Sequence, residues 1–290
     1  MIFTNKHNLP DGIVNAVKND SYTKGESDYS ATGLLKPARQ SALQSQHHDE
    51  IEEDVSDRIW SLLGQSIHTI CERGNVSDLV EKRFFAKFGN KTVSAQIDSL
   101  GMKSGILTDY KTTTVYKAKP NQAADPDWTA QLNIQLELMR RNGLDASQLQ
   151  IIAILRDWSK NKARQEENYA PLNVAVIPIE MWPREKTVAF IEMRIALHEA
   201  AKSNLPECSD DERWAKPSVF AVVKGKRAIN GGVQFSEDAA QSLCAKNPGT
   251  RVEFRQGESM RCELYCSVNK FCSQYQKTIK KQEVTNEIQE

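Results

Sequence analysis

Between Leu79 and Lys111 the chain reads as three strand-like runs in close succession: Leu79 to Phe88, Thr92 to Ile97 and Gly105 to Lys111. Gly89-Asn90 is a hairpin signal between the first two, and the stretch Ser99 to Ser104 lets the chain return after the second. Connections this short commit the segment to a sheet. Side-chain alternation then decides what that sheet presents. Residues two apart share a face of a strand, so Asp109 and Lys111 point the same way. Asp98 closes the preceding run and can approach them from the side.

The flanking segments have a helical period. From Asp49 to Arg73 the apolar residues Ile51, Val55, Ile59, Leu62, Leu63, Ile67 and Ile70 recur at helical spacing, with Gly74-Asn75 as the stop. Trp128 to Arg141 reads as a helix with Leu132, Ile134, Leu136 and Met139 on its apolar side, capped by Asn142-Gly143. Gln150 to Leu155 and Asn173 to Ile179 read as strands, and Pro183 to Ser203 as a long amphipathic helix. This order predicts an α/β fold, a mixed central sheet flanked by helices, over residues 31–203. Residues 1–30 are polar and carry turn formers, so they are expected to form an irregular arm. Residues 204–276 read as a smaller α+β region. Its strands, Arg227 to Phe235 and Arg251 to Arg255, enclose a helix from Ser236 to Ala245, and the region ends in closely spaced cysteines. Residues 277–290 form a charged tail.

Charge excludes one simple reading. The 290 residues carry 38 basic and 38 acidic side chains, so a strongly basic surface is absent. A local basic groove is still allowed, because acidic residues concentrate in His48 to Asp54. No apolar run approaches the roughly 20 residues that cross a bilayer, and Met1 to Lys6 lack the apolar core of a secretory signal. The expectation is a cytoplasmic protein without membrane partners or structural disulfides.

Two carboxylates beside a lysine are suited to a divalent cation such as Mg²⁺ or Mn²⁺, with an ammonium adjoining a bound phosphate. That pattern points to phosphodiester hydrolysis. Lys117, Lys119, Arg140 and Arg141 are candidates for phosphate contacts, and Tyr116 and Trp128 for stacking on unpaired bases.

Taken together, these residues resemble the RecB-like branch of the PD-(D/E)XK nuclease superfamily over roughly residues 30–200. Gly64-Gln65-Ser66-Ile67-His68 is similar to the branch's G-x-x-x-H element, Glu81 stands on the first strand, and Asp98 precedes the Asp109-Tyr110-Lys111-Thr112 signature. Gln131 to Gln135 resembles its Q-x-x-x-Y helix, with Gln135 in place of the tyrosine. The resemblance implies a restriction-endonuclease-like core in which Asp98, Asp109 and the Tyr110 carbonyl ligate Mg²⁺ or Mn²⁺. His68 would be a further ligand, and Lys111 would orient the attacking water or stabilise the transition state. Glu81 would bind the metal or position the water, and Gln131 would touch the substrate backbone or brace the site. It implies a nuclease, by preference an exonuclease acting on DNA ends or single strands. Its context would be phage-type replication, recombination or repair in a host cytoplasm, with a replication or recombination protein as partner. The alternative is a non-catalytic module that binds DNA ends or single strands.

Cys262, Cys266 and Cys272 lie within eleven residues. A tetrahedral site needs a fourth ligand. Cys208 opens the same region and is the preferred choice, with Cys71 as the rival. Similarity to CRISPR-associated and AddB-type relatives implies a [4Fe-4S] cluster. Those relatives show C-x2-C-x5-C, and the extra residue here keeps Zn²⁺ as the alternative.

Overall fold

A computed structural model describes residues 1–20, 23–74 and 78–279. The chain divides into two compact units, residues 1–41 with 52–204, and residues 42–51 with the chain from Leu205 onward. The first unit opens with β1 (Ile2–Thr4), α1 (Asp11–Lys18), β2 (Tyr29–Ser30), α2 (Ala31–Leu35) and the start of α3 (Ala38–Gln46), whose residues from Ala42 belong to the second. It continues through β3 (Glu52–Asp54), α4 (Ile59–Gly74), β4 (Leu79–Val80), β5 (Arg83–Phe88), β6 (Lys91–Gln96), β7 (Ser99–Leu100) and β8 (Ile106–Thr113). It closes with α5 (Pro126–Arg141), β9 (Gln148–Leu155), α6 (Lys160–Gln165), β10 (Val174–Ile179) and α7 (Arg184–Ala201).

The main sheet has the order β10-β9-β8-β7-β4. It is mixed, because β8 and β9 run parallel while the other pairs are antiparallel. A parallel pair needs a crossover, and α5 supplies it. A second sheet, β2-β6-β5, contains the hairpin expected at Gly89-Asn90, in register from Arg83↔Gln96 to Phe88↔Lys91. The α/β class with a mixed sheet and flanking helices is therefore what the structure has.

The helix α5 holds the core together. Its first turn is fixed by Pro126 and by the Asp125 side chain, which accepts the Asp127 N–H. It ends at Asn142, where Gly143 takes φ +80°. Leu132, Ile134, Leu136, Leu138 and Met139 are all buried, so apolar residues surround the helix as befits an element packed on several sides. Leu107, Ile151 and Ala153 of the sheet join the same core.

Four expectations need correction. Residues 1–30 are not an irregular arm. β1 pairs in parallel with β3, and Asp54 accepts from Thr4 Oγ1 at 2.9 Å and from the Lys6 N–H at 2.8 Å. The buried Val17 anchors α1. The stretch Asp49 to Arg73 is not one helix either. Asp54 and Asp57 form a capping box over a 3₁₀ turn, and α4 begins only at Ile59, although Ile51 and Val55 are fully buried. The run Leu79 to Phe88 breaks at Glu81-Lys82 into β4 and β5, which enter different sheets. Finally, residues 42–51 group with the second unit. Gln44 Nε2 donates to Ser267 Oγ at 3.1 Å, and the His47 ring stacks on Phe271 with centroids 4.0 Å apart.

The second unit contains α8 (Asp210–Arg213), β11 (Ala215–Lys216), β12 (Val219–Lys224), β13 (Arg227–Gln234), α9 (Glu237–Ala245), β14 (Arg251–Arg255), β15 (Glu258–Ser259) and α10 (Met260–Leu264). It is the expected small α+β region, with an antiparallel sheet β13-β12-β14 packed on α9. Of the charged tail, residues from 280 onward lie outside the described part of the chain. Among the described residues no helix is long and apolar enough to cross a membrane.

Candidate metal centre

β8 carries the site's first two groups. Asp109 is 1% exposed, and Lys111 Nζ lies 2.6 Å from its Oδ2. Strand alternation brings this pair together, as the sequence predicts. From α5, Gln131 Nε2 donates to Asp109 Oδ1 at 2.6 Å. Asp98 sits between β6 and β7, and its Oδ2 accepts the Tyr110 N–H at 2.7 Å. That bond fixes Asp98 beside the residue that separates Asp109 from Lys111.

Two more elements complete the cluster. His68, from α4, places Nδ1 3.4 Å from Asp98 Oδ2 and 3.6 Å from Glu81 Oε1. Glu81 stands at the break between β4 and β5 with φ +48°, the left-handed region that L-residues disfavour. Its N–H bonds the Asp98 carbonyl at 3.2 Å, and its Oε2 accepts Gln96 Nε2 at 2.5 Å. A strained backbone at this point turns the carboxylate toward Asp98 and His68.

Electrostatics follow from this crowding. Asp98 foremost, then Glu81, hold the proton on His68 and raise its pKa to about 10. Burial pushes the Asp109 carboxyl up, while the Lys111 ammonium pulls it back. Asp109 Oδ2 has the Lys111 ammonium as its ion-pair neighbour at 2.6 Å.

His68, Glu81 and Asp98 each offer a ligand atom, and these atoms lie within 4.8 Å of one another. Two carboxylates and an imidazole so close together make a set fit for a divalent cation. Among the described residues this is the one group of three or more such atoms so closely spaced. Of the ligands expected from the sequence, Asp98 and His68 belong to it and Glu81 joins them. Asp109 stands beside it, engaged by Gln131 and Lys111, and Tyr110 contributes its N–H to Asp98. All line one cleft of about 940 Å³, together with Gln131, Arg83 and Trp60.

The other candidates have different surroundings. Gln135, where the resembled family has tyrosine, is 1% exposed and donates to the Gln96 carbonyl at 2.9 Å. It braces the strand that carries Gln96 and, like Gln131, lines the same cleft. Trp128 is also core, whereas Tyr116 is exposed. The expected phosphate stripe is largely spent on internal pairs. Arg140 binds Asp145, Arg141 binds Glu137, and Lys117 binds Asp125. Sequence reasoning missed Trp60, which opens α4 exposed in the cleft. It lies within the helical segment but off the apolar pattern read there, and no local signal set it apart.

In the second unit, Cys262, Cys266 and Cys272 are near enough to influence one another. Burial raises the Cys262 thiol first, and the neighbouring Cys266 and Cys272 raise it further. Cys208 is tied to the same stretch, its N–H and carbonyl bonding the Gln274 amide at 2.8 and 2.9 Å. Cys71 lies on α4 in the first unit, and Cys244 bonds the Thr250 carbonyl.

No protein-family model matches the sequence, and no curated protein matches it. A crystal structure described as that of SSO0001 is similar at 18% identity and TM-score 0.46, over 69% of this chain and 87% of that one. A second, described as a "putative exonuclease" from Eubacterium rectale, is similar at 10% identity and TM-score 0.32, over 55% of this chain and 56% of that one. Likenesses this distant do not decide what the chain does. Its own residues carry the case.

Proposed function

We propose that this chain is a divalent-metal-dependent deoxyribonuclease of the RecB-like PD-(D/E)XK type, acting as an exonuclease on DNA ends or single strands. One observation carries the reading: the His68, Glu81 and Asp98 ligand group shares a cleft with the ion pair of buried Asp109 and half-buried Lys111. A cation such as Mg²⁺ or Mn²⁺ at such a site lowers the pKa of water and offsets charge on a phosphate. The imidazole in the set favours Mn²⁺ over Mg²⁺.

The chain's own groups have distinct tasks. Asp98 and Glu81 supply anionic oxygens, and His68 supplies Nδ1 once its proton leaves. Asp109 holds Lys111 at the cleft wall, where the ammonium offsets charge on a phosphate oxygen. Gln131 orients the Asp109 carboxylate. We assign Cys208, Cys262, Cys266 and Cys272 to a [4Fe-4S] cluster, with Zn²⁺ as the alternative.

One anaerobic preparation tests both parts. With Mn²⁺ or Mg²⁺ it should degrade end-labelled linear DNA and spare closed circles. Asp98→Asn, Asp109→Asn and Lys111→Ala should each lose about 100-fold or more in rate. Brown protein whose visible absorbance bleaches on reduction supports the iron cluster; colourless protein carrying zinc supports the alternative. A wild type that leaves linear DNA intact, or variants that cut normally, would remove the nuclease reading.

A further inference from the structure

Trp60 is a large apolar ring that the fold leaves 57% exposed, at the start of α4 and on the wall of the catalytic cleft. It is not loose. The Arg156 guanidinium carbon lies 4.3 Å from the ring centroid, a cation–π contact that steadies the indole. Arg156 is itself positioned by its N–H, which bonds the Thr113 carbonyl at 3.0 Å at the end of β8. Among the described residues no carboxylate pairs with this guanidinium, unlike those of Arg58, Arg140 and Arg141.

Geometry relates this pair to the reacting centre. Trp60 and His68 share α4, eight residues or about 12 Å apart along the helix axis. An extended strand covers that distance in a nucleotide or two. β8 likewise runs from Asp109 and Lys111 directly to Thr113, where Arg156 is anchored.

We infer that Trp60 and Arg156 form a stacking site for one unpaired nucleobase near the scissile phosphate. The indole would offer its open face to the base, and the unpaired guanidinium would meet an adjacent phosphate. A base inside a duplex has both faces covered by its neighbours, so such a site selects single strands or frayed ends. The inference rests on the nuclease reading of the cleft and narrows its substrate to unpaired DNA.

Two experiments on the full chain separate this inference from that reading. The first measures anisotropy of a labelled single-stranded oligonucleotide in EDTA, so that no cleavage is needed. Trp60→Ala should weaken binding about tenfold, Trp60→Phe should retain most of it, and duplex binding should change less. In the second, one abasic residue is moved through the positions beside the cut, with Mn²⁺ present. One position should slow the wild type, and Trp60→Ala should be insensitive to that same position. An unchanged single-strand affinity, or an identical abasic profile in both proteins, overturns the inference. So does a change of oligomeric state in Trp60→Ala, which would assign the ring to a protein contact along with the exposed Leu63 and Ile70. A wild type that binds single strands through Trp60 but cuts nothing would sink the nuclease reading alone.

Discussion

His68 holds a proton that a metal ion would have to displace. Asp98 and Glu81, at 3.4 and 3.6 Å, stabilise the imidazolium and carry its pKa to about 10, so the ring is charged at neutral pH. A cation taking Nδ1 needs the neutral ring, so binding must release that proton, and affinity must rise with pH toward about 10. Calorimetric Mn²⁺ titration at pH 7 in buffers of different ionisation enthalpy should report about one proton released per ion. His68→Ala should release close to none. A wild type that releases no proton would take His68 out of the ligand set.

At the scale of elements, the site depends on a strand that fails to continue. Glu81, with φ +48°, ends β4, and β5 starts two residues later in another sheet. Both Glu81→Ala and Glu81→Gly remove the carboxylate and should abolish most cleavage. They differ in backbone cost. The left-handed conformation costs a non-glycine residue roughly 1–2 kcal/mol, against roughly 0.5–1 kcal/mol for the extra freedom glycine loses on folding. In urea denaturation Glu81→Gly should therefore be the more stable variant, by about 0.5–1 kcal/mol. Equal stability would mean that this residue stores no strain.

The same elements explain what could be read in advance. Asp109 and Lys111 were legible because alternation within β8 is local, whereas Gln131 was named only through the resemblance to the Q-x-x-x-Y helix. Glu81 was expected on a continuous strand; one left-handed residue, which the sequence does not mark, turns it toward His68 and Asp98. The apolar spacing from Ile51 to Ile70 concealed the cap at Asp54, since buried positions on a strand and a 3₁₀ turn can mimic a helical period. Trp60 and Arg156 meet across a long stretch of chain, so no local pattern could reveal their pairing.

Across the whole molecule, acidic and basic groups are equal in number, so net charge supplies no attraction for DNA. Arginines that might have gripped phosphate are engaged with Asp145 and Glu137 instead. On the proposed reading, recognition would come from the cleft itself: a cation between carboxylates, the Lys111 ammonium, and an aromatic ring for the base. Five of the six cysteines belong to the unit built from residues 42–51 and the chain from Leu205 onward, while Cys71 lies on α4 of the first unit. Everything about the cleft turns on whether it takes up a metal. The most direct measurement is an anomalous difference map from crystals grown with Mn²⁺. A peak among His68 Nδ1, Glu81 Oε1 and Asp98 Oδ2, adjoining Asp109 and lost in Asp98→Ala crystals, is the predicted result. No peak there at saturating Mn²⁺, with His68 still bonded to both carboxylates, would contradict the account.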